Sequence, residues 1–445
     1  MITPEQFIVK NLGVCTVRSP LPLSIRHGDG VGNFTPDNAR ISYQNEFNTG
    51  APPYEGIFFE KAGSREMIYF DPQQITAAVV TCGGLCPGLN NVIRSVVRQL
   101  RKYGVKKVLG IRYGFQGLNP NEGLPPIDME DEVVEDIHRE GGTMLGSSRG
   151  PQDVGVMVDF MVARRIRILI CIGGDGTLRG ARDLADEVKR RGAEIAIVGI
   201  PKTIDNDIMY ISRSFGFSTA IEQAKGVLDC AHAEAKGAPN GIGLVKVMGR
   251  ESGFIAVHAT LASQEVNFTL IPEVPFNLEG EGGFLPLLKA RLLRKRHAVV
   301  VVAEGAALNL MPESSLGVDA SGNKRNQDVG VFLKEEIQAY FKREKMPVNL
   351  KYIDPSYIIR SVPANTGDAL LCDQLARRAV DAGMAGKTQL LIGMWDGSFV
   401  HLPIPLAVAA KKKVQPEGEE WIGVYEATGQ PLRFIPEEQS AEPNT

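Results

Sequence analysis

From Ile75 onward the chain alternates between two hydrophobic rhythms. Short, nearly unbroken apolar runs, ITAAVVTC (75–82), KKVLGIRYG (106–114), RILICI (167–172) and AEIAIVGI (193–200), are separated by stretches whose apolar residues recur every three or four positions. The runs predict buried strands, and the stretches predict helices with one apolar face. NNVIRSVVRQLRKYG (90–104) is such a helix: Ile93, Val96, Val97 and Leu100 share a face, and Gly104 predicts its C-cap. EDIHREGG (135–142), FMVARRI and TLRGARDLADEVKRRG read as further helices. Strands and helices that alternate in this way predict a mostly parallel, doubly wound α/β sheet.

The same rhythm resumes after Phe217. STAIEQAKGVLDCAHAEAKG, SGFIAVHATLAS, LPLLKARLLRKR, QDVGVFLKEEIQAYFKREK and DALLCDQLARRAVDAG read as helices. IGLVKVMG, FTLIPEV, HAVVVVAEG and NLKYIDPSYIIR read as strands. The expected architecture is therefore two doubly wound α/β domains with parallel sheets, plus an N-terminal extension. Residues 1–75, rich in Gly, Pro, Asn and Asp, are expected to form an extended arm with a short strand at REMIYF. Residues 76–216 with 359–410 form the first domain and 217–358 the second. Residues 411–445 make a C-terminal segment whose end, PEEQSAEPNT, is expected to be disordered.

Composition narrows the class. The chain has 445 residues, 43% hydrophobic and 23% charged, with a formal net charge of −3. These are values of an ordinary soluble protein. They speak against a nucleic-acid binder, which carries a basic stripe. No apolar run is long enough to span a bilayer, and HAVVVVAEGAA breaks at Glu304. No secretory signal pattern opens the chain. The six cysteines lack paired metal-ligand spacing and read as reduced thiols in a cytoplasmic protein.

Candidate chemistry lies at strand ends. GGDGT (173–177) follows RILICI, and PKTIDND (201–207) follows AEIAIVGI. In open α/β sheets ligands bind at that edge. Gly174 and Gly176 clear room for phosphates, Thr177 opens a helix whose amides favour anions, and Asp175 suits Mg²⁺. A Gly-Asp turn taken singly is also an ordinary turn. Asp205 and Asp207 flank Asn206, so in extended geometry both face one side and can divide the work of base and metal support. GGLCPGLNN (83–91) is a third glycine turn. MGRESGF places Arg250 after a strand and YIIR places Arg360 likewise, both suited to phosphate capture. Glu304 ends an apolar strand, a costly place for a carboxylate without a partner. GMAGKT (383–388) misses the phosphate-loop pattern and reads as a helix-end loop, and the six histidines form no ligand cluster.

Taken together, GGLCPGLN, GSSR, GGDGT, PKTIDND, MGRESGF, VAEGA and YIIR resemble, in order and spacing from about residue 76 to 400, the 6-phosphofructokinase family. More closely the chain resembles the long ATP-dependent branch typified by plant enzymes. The resemblance implies ATP-dependent phosphorylation of fructose 6-phosphate to fructose 1,6-bisphosphate, with Mg²⁺ as cofactor, in an allosteric homo-oligomer (dimer or tetramer). It implies that Gly84 and Arg149 contact nucleotide phosphates, which Gly174, Asp175, Gly176 and Thr177 cradle, with Asp175 at the metal. Asp205 would be the base, Thr203 would hold the transferring group, and Asp207 would support the metal region. Met248, Gly249, Arg250, Glu304, Tyr357 and Arg360 would line the sugar pocket, with Lys351 at the 6-phosphate.

Two positions bear on the donor. Pyrophosphate-using members carry Asp where this chain has Gly176, so glycine favours ATP. Lys202 is shared with pyrophosphate users, and here it would stabilise charge on the transferring phosphoryl. The alternatives are a pyrophosphate-dependent enzyme of the same kind or a non-catalytic regulatory subunit. In short bacterial members an arginine stands at the position of Gly241, a histidine at Tyr357 and an arginine at Lys351.

Overall fold

Thr76–Thr81 has no exposed side chain and forms a central strand of the first sheet, as its unbroken apolar run predicts. The structure is a computed structural model and describes residues 2–46, 48–50, 56–311 and 327–434. In chain order its main strands are β1 (Arg40–Ser42), β2 (Phe58–Lys61), β3 (Thr76–Thr81), β4 (Lys107–Ile111), β5 (Ile127–Asp128), β6 (Ile166–Gly173) and β7 (Ala196–Pro201). They continue with β8 (Gly241–Val247), β9 (Phe268–Leu270), β10 (His297–Ala303), β11 (Asn349–Ile353), β12 (Leu390–Trp395) and β13 (Ser398–Pro403). The helices used below are α1 (Leu89–Tyr103), α2 (Val154–Ala163), α3 (Asp175–Arg190), α4 (Phe217–Lys236), α5 (Phe254–Ser263), α6 (Phe284–Lys295), α7 (Val329–Arg343), α8 (Ser356–Ser361), α9 (Thr366–Met384) and α10 (Glu419–Thr428).

The chain divides into two units, Met1–Gly216 with Ser361–Lys411 and Phe217–Arg360 with Lys412–Thr445. The first holds a nine-stranded sheet in the order β1-β2-β13-β12-β7-β6-β3-β4-β5. Its middle, β12-β7-β6-β3-β4, is parallel. The second unit holds an all-parallel sheet, β9-β10-β8-β11. Both units are α/β, as the alternating rhythm predicts.

The edges of the first sheet depart from the expected parallel pattern. β12 and β13 form an antiparallel hairpin that the strand count above does not include. Its turn carries Asp396 at φ 45 and Gly397 at φ 72, the left-handed pair an Asp-Gly hairpin turn requires. The arm then adds β2 and β1 beyond β13. Phe7, Ile57 and Phe59 from the arm are buried in the same apolar cluster as Leu169, Ile197 and Val400. The arm is thus part of the first unit's core. Within REMIYF only Met67–Ile68 is strand, paired with Val17–Arg18. EDIHREGG holds only a single 3-10 turn, Ile137–Arg139, in place of the expected helix. The expectation for 436–445 falls outside the described residues, and 419–428 forms helix α10.

α1 buries Val92, Ile93, Val96, Val97 and Leu100 and ends at Gly104, φ 90, whose N–H bonds the Leu100 and Arg101 carbonyls. YIIR is helical, not strand. Asp354 Oδ1 accepts from Ser356 N at 3.1 Å, Pro355 follows it, and Arg360 lies on α8. That Asp-Pro-Ser start is a legible helix signal.

One polar cluster ties the arm to the sheet. Glu60 on β2 takes Arg65 Nη2 at 3.1 Å, Lys387 Nζ at 3.0 Å and His401 Nδ1 at 3.0 Å. Burial pushes His401 down, and the Glu60 carboxylate beside it pulls the other way. Burial alone would raise Glu60, but His401 and Lys387 outweigh it and hold the carboxyl far below the usual range. A carboxyl depressed on folding contributes stability above its unfolded pKa of about 4.3, and that contribution fades as pH falls below it. Glu60→Gln, which removes the carboxylate shared by buried Arg65 and partly buried Lys387, is expected to cost about 3 kcal/mol in urea unfolding at pH 7. Its stability should fall less steeply than wild type between about pH 5 and pH 3.

Candidate active site

Four turns meet at the carboxyl edge of the first sheet. β6 and β7 end in register, Gly173 opposite Pro201, and Lys202 N donates to Gly173 O at 2.9 Å. This aligns GGDGT and PKTIDND on adjacent strand tips. A Cβ on Gly173 would lie 2.2 Å from Thr177 Oγ1, so that glycine serves packing. Gly174 is the N-cap of α3, and Asp175 is its first residue. The free N–H groups of that helix start favour anions. A Cβ on Gly176 would meet no atom within 4 Å, so nothing in the local fold demands glycine there. Asp175 is partly exposed and pairs with Arg179 Nε at 3.0 Å, while Arg179 Nη2 donates to Val408 O at 2.7 Å.

Lys202 is buried, and its Nζ donates to Gly84 O at 2.6 Å, joining the 83–88 turn to the tip of β7. Burial pushes its pKa down; Arg149 acts in the same sense and Asp205 opposes both. Gly83 (φ 84) and Gly88 (φ 102) hold that turn in left-handed backbone. Ser147 Oγ donates to Gly83 O at 2.5 Å, and Gly83 N to Ser148 O at 3.1 Å, which brings the GSSR turn alongside. Arg149 of that turn is exposed.

PKTIDND does not keep the extended geometry expected of it. Asn206 sits at φ 54, which turns the chain between the two aspartates. Asp207 is drawn to Thr203 Oγ1 at 2.9 Å and to Lys411 Nζ at 3.2 Å. Thr203 Oγ1 also accepts from Asp205 N at 3.1 Å, so its hydroxyl orients the loop. Asn206 Oδ1 accepts from Ser214 N at 2.9 Å, and Ser214 Oγ donates to Thr203 O at 2.6 Å. Asp205 follows β7, on the strand tip next to that of β6, which leads to Asp175.

In the second unit β8 and β10 run in register to Val247 and Ala303, and Glu304 N donates to Val247 O at 2.9 Å. Met248, Gly249 and Arg250 follow β8, while Glu304 follows β10 on the neighbouring tip. Gly249 stands at φ 120, and a Cβ on Gly305 would fall 1.8 Å from Arg250 O, so these glycines let the two tips touch. Burial pushes the Glu304 carboxyl up, while Arg250, Lys246 and Arg360 pull it back. Tyr357 is exposed, with the Arg360 guanidinium 4.7 Å from its ring centre. Lys351 is exposed on edge strand β11, short of the strand's end. An arginine has no room at position 241, where a Cβ would lie 2.1 Å from Ala235 O.

Sequence reading missed a cluster at this edge. Lys246 Nζ reaches Asp328 Oδ2 at 2.6 Å and Asp354 Oδ2 at 2.7 Å. Asp328 also caps α7, accepting from Gly330 N at 2.8 Å, and takes the Tyr352 hydroxyl at 2.9 Å. Burial works against the ammonium, but the two carboxylates outweigh it and hold its pKa above the usual lysine range. The legible signal was a lysine inside an apolar strand, IGLVKVMG, which requires a partner.

Two α/β units whose strand tips carry glycine turns, acidic residues and paired basic groups define a phosphotransferase. The chain belongs to the phosphofructokinase family, whose model matches residues 76–383. It is 48% identical over 436 residues to the ATP-dependent 6-phosphofructokinase of Borreliella burgdorferi, spanning 96% of this chain and 97% of that protein. It is 47% identical to ATP-dependent 6-phosphofructokinase 7 of Arabidopsis thaliana, over 87% of this chain and 80% of that protein. The Amycolatopsis methanolica ATP-dependent enzyme is 42% identical over 96% of this chain and 95% of its own length. Among solved structures, the pyrophosphate-dependent phosphofructokinase of Marinobacter aquaeolei matches with TM-score 0.66, 21% identity and coverage of 81% and 93%. That likeness concerns the fold alone. The Saccharomyces cerevisiae phosphofructokinase matches with TM-score 0.61 at 25% identity, covering 75% of this chain and 45% of that chain.

Lys246→Met should leave Asp328 and Asp354 facing each other without their cation. A loss of about 2 kcal/mol is expected in urea unfolding, since the lysine is nearly buried and its partners are not. An unchanged midpoint would show that solvent already screens the cluster.

Proposed function

We propose that this chain transfers the γ-phosphoryl of ATP to the 1-hydroxyl of fructose 6-phosphate, giving fructose 1,6-bisphosphate in glycolysis. The observation that carries the ATP reading is Gly176: the space beside it is open and no packing demand put a glycine there. The names of the relatives, ATP-dependent in each of the three closely similar proteins above, support the same donor.

The first unit takes the nucleotide. Gly84, Arg149 and the α3 start at Gly174–Thr177 bind its phosphates through N–H groups and charge. No group of three or more metal-binding side chains occurs among the described residues. This suits Mg²⁺, which uses one or two carboxylates and completes its shell with phosphate oxygens and water. Asp175 is the residue to hold it. When bound, the ion neutralises charge across the donor's phosphates. Asp205 takes the proton of the attacking hydroxyl, with Thr203 and Asp207 holding its loop. Lys202, drawn to the transferring group, stabilises the charge that develops there. The second unit takes the sugar phosphate through Met248, Gly249, Arg250, Glu304 and Arg360, with Tyr357 and Lys351 toward the 6-phosphate. No helix among the described residues is long and apolar enough to cross a membrane. The reading includes a cytoplasmic homo-oligomer, dimer or tetramer.

A coupled assay with fructose 6-phosphate, run in parallel with ATP and with pyrophosphate, tests the reading, and turnover with ATP is expected. Equal or faster turnover with pyrophosphate would reverse the donor assignment. Asp205→Asn should lower kcat by roughly 10²–10⁴ with little change in KM, the range for a lost general base. Gly176→Asp should impair ATP use by filling the open space with a repelling charge. Arg250→Ala should raise the KM for fructose 6-phosphate by about 10- to 100-fold, the worth of one charge-assisted contact of about 1.5–3 kcal/mol.

A further inference from the structure

The first unit holds a cavity of about 370 Å³ that the phosphoryl-transfer chemistry does not use. Its roof is the N-terminal arm, residues 21–23, 33–35 and 61–64, and its floor is formed by α1 and α9. Four cations line it, Lys61, Lys102, Arg377 and Arg378, against one carboxylate, Asp381. That carboxylate is already engaged. Asp381 is buried, and its Oδ1 takes Gln99 Nε2 at 3.0 Å and the Tyr103 hydroxyl at 2.9 Å, while Oδ2 takes Ser64 Oγ at 3.0 Å. Its oxygens face donors of the wall, and counting Asp373, which pairs with Arg377, two carboxylates stand against the four cations.

Both arginines are held by neighbouring groups of the fold. The Arg378 guanidinium lies 4.1 Å from the Phe399 ring centre, and its Nη1 donates to Gln374 O at 3.1 Å. Arg377 Nη2 pairs with Asp373 at 2.5 Å, while its buried Nε has no hydrogen-bond partner among the described residues. A buried N–H of a charged group is costly to leave unmade. Lys61 and Lys102 are exposed, on the roof and at the last turn of α1.

The cavity is remote from the glycine turns. α1 leaves the 83–88 turn at Leu89 and reaches the cavity at Gln99 and Lys102. Ten to thirteen residues of helix at 1.5 Å each separate the two, about 15–20 Å. The cavity therefore sits toward the amino end of the parallel strands, opposite the edge where the candidate active site lies.

We propose that this cavity is a second ligand site, for a small anion bearing two or more phosphate or carboxylate groups. Guanidinium groups bind either kind of group in bidentate fashion, and the volume suits a small metabolite.

The test uses the full chain and hydrogen exchange read by mass spectrometry, with pyrophosphate and citrate as separate probes. The expected result is slowed exchange across residues 17–35 and 99–104 with at least one probe, at millimolar or lower concentration. In Lys61→Ala/Lys102→Ala that protection should need at least tenfold more anion, with fructose 6-phosphate kinase activity unchanged. Arg377→Ala should weaken it similarly. Protection by pyrophosphate but not citrate assigns phosphate groups, and the reverse assigns carboxylates. Protection confined to 83–88 and 173–177 would overturn the proposal, since those segments belong to the active-site edge. So would arm protection that is undiminished in the double variant.

Discussion

The backbone hydrogen bond from Lys202 N to Gly173 O closes the register between the two central strands of the first unit. Because strands β6 and β7 stop at the same level, the turns that follow them emerge side by side. One turn starts helix α3 at Asp175, and the other carries Asp205. The side chain of the same Lys202 reaches back to Gly84 O and ties in the third turn. One residue thus holds three glycine-rich or acidic turns by its backbone and its ammonium. Its burial makes that ammonium costly to hold charged, so a phosphate group arriving nearby gains from it more than from an exposed lysine.

The second unit uses a different device for the same end. Its tips are brought together by glycines that let backbones touch, at 249 and 305, and are then loaded with charge. Glu304, pushed up by burial, stands among Arg250, Lys246 and Arg360. The Lys246 bridge to Asp328 and Asp354 links β8 to the start of α7 and to the turn that begins α8. It therefore fixes the helix carrying Tyr357 and Arg360 without itself being a group expected to touch substrate. Gly241 lies at the other end of β8, closed against the α4 carbonyl of Ala235. Substituting arginine there would break the packing.

The arm changes the character of the first unit. It extends the antiparallel edge of the sheet beyond β13, buries aromatic residues against the core and places Glu60 in a cluster with Arg65, Lys387 and His401. It also roofs the cationic cavity over α1 and α9.

Periodicity and turn chemistry alone were enough for the α/β class, the strand–turn–helix placement of GGLCPGLN and GGDGT, and the Gly104 cap. These features depend on neighbours a few residues apart, which a chain displays directly. The Asp-Gly turn at 396–397 and the Asp-Pro-Ser start of α8 were also written locally, although the unbroken apolar flanks obscured them. Tertiary structure decided the rest. Lys246 meets Asp328 across 82 residues, and Glu60 meets His401 across 341. Asn206 takes left-handed backbone where Ser212 and Ser214 engage its side chain, so the two aspartates do not lie on the extended strand expected of them. The vacant space at Gly176 and the collision awaiting any side chain at Gly241 have the same cause. A glycine in a sequence does not say what surrounds it; that depends on which distant segments fold against it.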